Sequence, residues 1–185
     1  MWYAATVAAP GTEPITSAQA KAQLNIDSSD TTWDTLLAIL IASARDHAEK
    51  VCATRFAQRT SVALLCDSFD DFARLPEAPI TAVAITYVDE AGDTQTLASS
   101  VYELRATELE AAIVLKYGQT WPAIQYGSRI TVTATVGFST VPPAAVAAML
   151  LLVGHWFRNR EASAAALAEI PIGVNDLLIN LRRNA

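Results

Sequence analysis

Residues 129–158 read RITVTATVGFSTVPPAAVAAMLLLVGHWFR, and within this stretch the spacing of apolar side chains changes from every second residue to helical. Ile130, Val132, Ala134 and Val136 fall on one side of an extended chain, opposite Arg129, Thr131, Thr133 and Thr135. That alternation predicts a strand with one buried and one wet face. Gly137 closes it. Pro142 and Pro143 suit the first turn of a helix, where a missing N–H costs little, and the apolar pattern then runs to about Arg160. Its greasiest part, 144–157, is shorter than the roughly 20 residues needed to cross a bilayer, and it contains Gly154 and His155. It reads as a buried helix.

Upstream of this switch the chain is β-rich. Residues 61–66 read as a short strand. Val83, Ile85 and Tyr87 alternate with Ala84, Thr86 and Val88, and the polar run 89–94 around Gly92 makes a hairpin loop before a strand at 95–97. Further short strands are expected at 101–104 and 112–116. Strands joined by turns, with no helix between them, imply antiparallel pairing in a small sheet or barrel.

Helices precede this region. Thr16 and Gln19 have the capping-box form, and Ala18, Ala20, Ala22 and Leu24 favour a short helix that stops near Asn25. Ser28, Ser29, Asp30 and Thr31, with Asp34 three residues beyond Thr31, give a second start signal. From there Trp33, Leu37, Leu40, Ala44, Ala48 and Val51 recur at helical spacing in a long amphipathic helix. Leu36, Ile39 and Ile41 add a second apolar face, which either the core or a neighbouring subunit must cover. After the late helix, 162–168 is Ala-rich and either extends it or links loosely to Pro171. Val174, Leu177, Leu178 and Leu181 then line a last short helix ending in Arg182 and Arg183, favourable at the negative end of its dipole. The expected fold class is therefore α+β. A helical body of short, long, late and C-terminal helices holds a small antiparallel β insertion over 60–138, between the long helix and the late helix. Residues 1–14 read as an extended arm and 15–185 as one domain, with 170–185 as its C-terminal helix and tail.

The chain has 185 residues, 52% of them hydrophobic and 17% charged, enough to bury a core and unlike a disordered sequence. The net charge of -6 argues against a broad basic face for nucleic acid, since Lys and Arg contacts to phosphate supply most of that affinity. Residues 1–14 lack the basic and long apolar regions of a secretory signal. Cys52 and Cys66 are too few for a disulfide framework and show no metal-ligand spacing, so they read as free thiols.

Catalytic patterns are absent from the sequence. His47 and His155 stand apart, without His-x-x-x-His spacing, and there is no nucleophile elbow or phosphate-cradling glycine loop. Asp67, Asp70 and Asp71 leave open a metal-binding carboxylate cluster, though acidic residues beside strands are usually solvated. Trp156, Phe157, Arg158 and Arg160 combine aromatic bulk with guanidinium groups at a helix end, which suits an interface anchor as well as an ordinary helix C-terminus. Candidate subunit-interface residues are thus Leu36, Ile39, Ile41, Trp156, Arg158 and Arg160. Trp121 and Pro122 read as a packed loop corner or an exposed contact.

The order of motifs resembles the head-to-tail connector proteins, also called adaptors or head-completion proteins, of long-tailed bacteriophages and related gene-transfer particles. The matching residues are Glu13, Pro14, Ile15 and Thr16 with Ala20, Lys21 and Leu24; Trp33 and Asp34 before the long helix, with Ala44, Arg45 and Glu49; Leu75, Pro76, Pro79 and Ile80. They continue with Tyr87, Val88, Asp89 and Gly92; Tyr102; Trp121 and Pro122; Val132, Thr133, Gly137 and Phe138; Val141 and Pro142. His155, Trp156, Phe157, Arg160, Glu161, Pro171, Gly173 and Val174 complete the series.

This resemblance implies a structural subunit, not an enzyme, with no cofactor and no metal. It implies a homo-oligomeric ring, dodecameric in the particle, between a portal protein and a tail-side stopper or tail terminator protein. DNA passes through without sequence-specific binding, no membrane is involved, and the place is the head-to-tail junction of a virion or phage-like particle assembled in the bacterial cytoplasm. By analogy, Leu177, Leu178, Leu181, Arg182 and Arg183 are candidates for portal docking, unless those leucines pack back on the core. Two rival readings are a small-molecule-binding or hydrolytic domain with a pocket between the β insertion and the helices, and a DNA-binding packaging component.

Overall fold

The computed structural model describes residues 1–3, 10–159 and 172–183. The chain forms two compact units: a helical unit of Thr12–Ala57 with Ser139–Ala185, and a β unit of Met1–Gly11 with Gln58–Phe138. The segment read as a β insertion therefore packs as a body of its own and takes the first residues with it.

In the helical unit, α1 (Ser17–Leu24) begins at the predicted capping box. The Thr16 hydroxyl accepts from the Gln19 N–H at 3.2 Å, and the Gln19 side chain accepts from the Thr16 N–H at 2.8 Å. Asn25, in the left-handed conformation at φ 55°, ends it. The long helix α2 (Asp34–Cys52) starts later than the Thr31 signal suggested, with Trp33 at its N-cap and no side-chain cap. The Asp27 and Asp30 carboxylates instead accept from the N–H groups of Ser29 and Thr32, at 2.8 and 2.9 Å, and fold the segment into turns that compete with helix. Helix α3 (Pro143–Arg158) opens at the predicted prolines and packs on α2, and α4 (Ile172–Leu178) continues into a 3-10 turn, Ile179–Leu181. Arg160, Glu161 and the 162–168 link lie outside the described residues.

In the β unit, β1 (Arg59–Cys66), β2 (Ile80–Val88), β3 (Thr94–Thr96) and β6 (Ile130–Val136) form an antiparallel sheet in the order β1-β6-β2-β3, and β4 (Tyr102–Ala106) pairs with β5 (Ala111–Leu115). The alternation expected in β6 is present: Ile130, Val132, Ala134 and Val136 are buried and the threonines between them are half-exposed. Ala63, Thr133 and Ala84 line up across three strands on that open face. Gly137 closes β6 at φ 102°, a conformation that L side chains rarely adopt, while its N–H donates to the Pro79 carbonyl.

Two stretches carry contacts that spacing did not indicate. At the start of the arm expected over 1–14, Trp2 bridges to Cys66, the Tyr3 N–H donates to the Leu65 carbonyl, and the Trp2 ring stacks on Phe72. The acidic run near 67–71, read as a solvated turn, is part of a 3-10 turn, Phe69–Ala73, which Ser68 caps and which turns Phe69 and Phe72 into the core. Trp121 stacks on Phe69 with centroids 4.7 Å apart, so it is a packed corner.

Candidate functional site

The helical unit is held in register by buried charge. Glu49, on the inner side of α2, accepts the Phe56 and Ala57 N–H groups at 3.0 and 3.1 Å and pairs with Arg45 and Arg55. Arg45 also pairs with Glu13 at 2.9 Å, and buried Lys21 pairs with Asp34 at 2.7 Å. These contacts fix α2 against the segments on either side of it, so the exposed face of the helix is presented rigidly.

On that frame the predicted interface residues divide. Ile39 is 60% exposed and Leu36 half-buried, but Ile41 is buried with Leu37, Ala44 and Ala48 and belongs to the core. Its place is a correction: four residues after Leu37 and three before Ala44, it lies on the inward stripe. Arg158 is exposed, whereas Trp156 is half-buried, edge-on to His47 at 6.0 Å. Phe157 similarly meets Trp33 at 5.4 Å. Leu151 on α3 and Ile179 beyond α4 are exposed apolar residues that the sequence reading missed.

The portal-docking candidates divide as well. Leu178 is fully buried, as is Val174, and this corrects its assignment to a docking surface. Cys52 Sγ lies 3.8 Å from the Leu178 carbonyl, the Thr54 hydroxyl donates to the Leu181 carbonyl at 3.0 Å, and the Arg183 N–H donates to the Cys52 carbonyl at 2.8 Å. Leu177, Leu181 and Arg183 are half-buried, and Arg182 is exposed with its guanidinium on Asn175. Of the docking candidates only Arg182 is exposed, and Ile179 stands exposed beside it.

The carboxylates suggested as a metal cluster are spoken for separately. Asp67 accepts from the Tyr3 hydroxyl at 3.0 Å, Asp70 from Ser68, and Asp71 pairs with the Met1 ammonium group. Among the described residues no three His, Cys, Asp or Glu side chains converge as metal ligands. Cys52 and Cys66 are buried free thiols, pushed up by burial to about 11 and about 12, so neither is a thiolate at neutral pH. A groove of about 370 Å³ in the β unit is lined by Arg74, Arg105, Thr107 and Glu110 among small residues. Its Thr107 hydroxyl is tied to Glu110, and it holds no His or Cys to act as base or nucleophile. Among the described residues no helix is long and apolar enough to cross a membrane.

Among the described residues, the large apolar side chains that the helical unit exposes are Ile39, Leu151 and Ile179. No family model and no curated protein matches the chain. Solved structures do. A chain in the neck of an empty gene transfer agent particle computed with C6 symmetry matches with TM-score 0.81 and 21% identity, covering 99% of this chain and 97% of that one. A chain in the virion of a native gene transfer agent particle matches with TM-score 0.75 and 24% identity, covering 100% and 96%. A chain in the neck of the native particle computed with C12 symmetry gives 0.63 and 24%, covering 96% and 95%. Over essentially its whole length, this chain has the fold of those neck and virion chains.

Proposed function

We propose that the chain is a structural head-to-tail connector, an adaptor subunit that forms a dodecameric ring at the neck of a phage or phage-like particle. The observation that carries this is the end-to-end likeness to neck chains, with almost no residue left over on either side. On this reading the ring sits under the portal protein, meets a stopper or tail terminator on the tail side, and lets DNA through without binding its sequence. Assembly takes place in the bacterial cytoplasm. The role is structural and not enzymatic.

Two physical features agree with it. Ile39 and Leu151 are exposed on helices, where a repeated contact between identical copies would bury them. A net charge of -6 gives DNA little to adhere to, whereas a basic wall would hold it by phosphate neutralisation.

The test is reconstitution of the purified chain with portal rings, read by electron microscopy. Rings of the chain seated on the portal are expected. Ile39→Asp should prevent ring formation while the chain stays folded. Docking is addressed by Ile179→Asp with Arg182→Glu, because deletion from Gly173 onward would also remove the buried Val174 and Leu178. Portal and chain remaining separate at high concentration would overturn the proposal.

A further inference from the structure

The β unit contains a repeated device that the connector reading does not use. Lys116-Tyr117-Gly118-Gln119 and Gln125-Tyr126-Gly127-Ser128 form the same turn twice: the first carbonyl accepts from the fourth N–H, at 3.1 and 3.0 Å, and the glycine at the third position has φ 76° and 75°. This is the type II pattern, in which glycine supplies the left-handed residue. Each turn projects its tyrosine fully into solvent. Between them Trp121 stacks on Phe69, and the Gln125 N–H donates to the Val88 carbonyl, so the loop is braced at its middle and near its end. Two large, amphipathic rings are held out on stiff supports, the kind of side chain that loses little entropy on contact.

The same unit also has an open sheet face of short side chains. On the outer face of the sheet, Thr131, Thr133 and Thr135 of β6 stand beside Thr86, Ala84 and Ala82 of β2. These side chains are short and uncharged, half-exposed on β6 and at Thr86, and exposed at Ala82 and Ala84. Neutrality is unusual here, because the residues of this unit include ten Asp and Glu against five Lys and Arg. Two copies brought together through their acidic surfaces would repel. Contact between copies of an acidic unit is least opposed where carboxylates are absent, as they are on this sheet face and along the tyrosine loop from Lys116 to Ser128.

We propose that Tyr117 and Tyr126 of one copy seat on the uncharged sheet face of a second copy. A closed ring of identical subunits repeats one heterologous contact, which needs two different, mutually fitting patches on every subunit. The β unit carries one of each. This inference rests on the ring reading above and supplies a contact for it.

The experiment uses the full chain with portal rings. Tyr117→Ser with Tyr126→Ser removes the rings from the loop, and Ala84→Glu with Thr133→Glu charges the face; circular dichroism checks that both variants remain folded. Each should raise the concentration needed for ring assembly by about tenfold or more, as loss of central aromatic anchors does at interfaces. Assembly of either variant at the wild-type concentration overturns this contact and leaves the connector reading intact. Failure of the wild-type chain to form rings overturns the connector reading itself. If both variants lose assembly, their mixture should give one-to-one pairs, because loop-intact and face-intact copies fit once and cannot propagate; absence of pairs, at concentrations where wild-type copies associate, also counts against the contact.

Discussion

The two units differ in what they mainly enclose, although the β unit also buries Arg59 at the start of β1. The helical unit encloses charge: Lys21 and Glu49 are buried, and Asp34, Arg45 and Glu13 reach in to meet or extend those pairs. The β unit encloses rings, with Trp2 stacked on Phe72, Phe72 edge-on to Phe69, and Phe69 stacked on Trp121. Removing one member of the first kind strands a charge away from water, whereas removing one of the second leaves a hole. The difference teaches where rigidity is directional. Hydrogen-bonded charge fixes the helix that carries Ile39, while stacked rings fix the sheet and loop that carry the tyrosines.

Glu49→Ala should have the largest effect, about 3–5 kcal/mol in chemical denaturation, because it leaves the Phe56 and Ala57 N–H groups without their acceptor and Arg45 with a buried partner missing. The helical unit should melt first in this variant, followed by hydrogen exchange. A cost below about 1 kcal/mol would mean that the buried charge is not what holds α2. Phe72→Ala should come next at about 3 kcal/mol, with early exchange confined to the β unit.

Acid acts on both units. Hydrogen bonds from Ser29, Thr32 and Lys50 hold the carboxyls of Asp27, Asp30 and Asp46 below their ordinary range, and all three lie in the helical unit. In the β unit Gln95 does the same for Asp89. Folded values below unfolded ones mean that this stabilisation is present above about pH 4 and is lost as pH falls through the folded values. Stability in chemical denaturation should therefore fall as pH drops from about 5 through these folded values; stability that stays flat or rises over that range would argue against it. The smallest effect is at the α1 cap, where Thr16→Ala should cost about 1 kcal/mol in the same denaturation experiment.

Much of this architecture is legible from spacing alone. The period-two run through β6, the change at Gly137 and the prolines that open α3 are local signals, and so is the Thr16 capping box. Long-range contacts are not local. Nothing near Trp2 marks it as the ring that will cover Phe72, seventy residues away, and the 3-10 turn was hidden because Asp70 and Asp71 outweigh the three-residue spacing of Phe69 and Phe72. On α2, Leu36, Leu37, Ile39, Leu40 and Ile41 are all apolar, so periodicity cannot decide which stripe faces inward. Packing chose Leu37, Ile41, Ala44 and Ala48, which left Ile39 outside.

The most direct measurement is electron microscopy of particles made by the producing cell with and without this chain. Removal should yield heads and tails that do not join, and restoring the chain should return a ring of it at the junction. Normally joined particles in its absence, or a neck that does not contain it, would contradict the account.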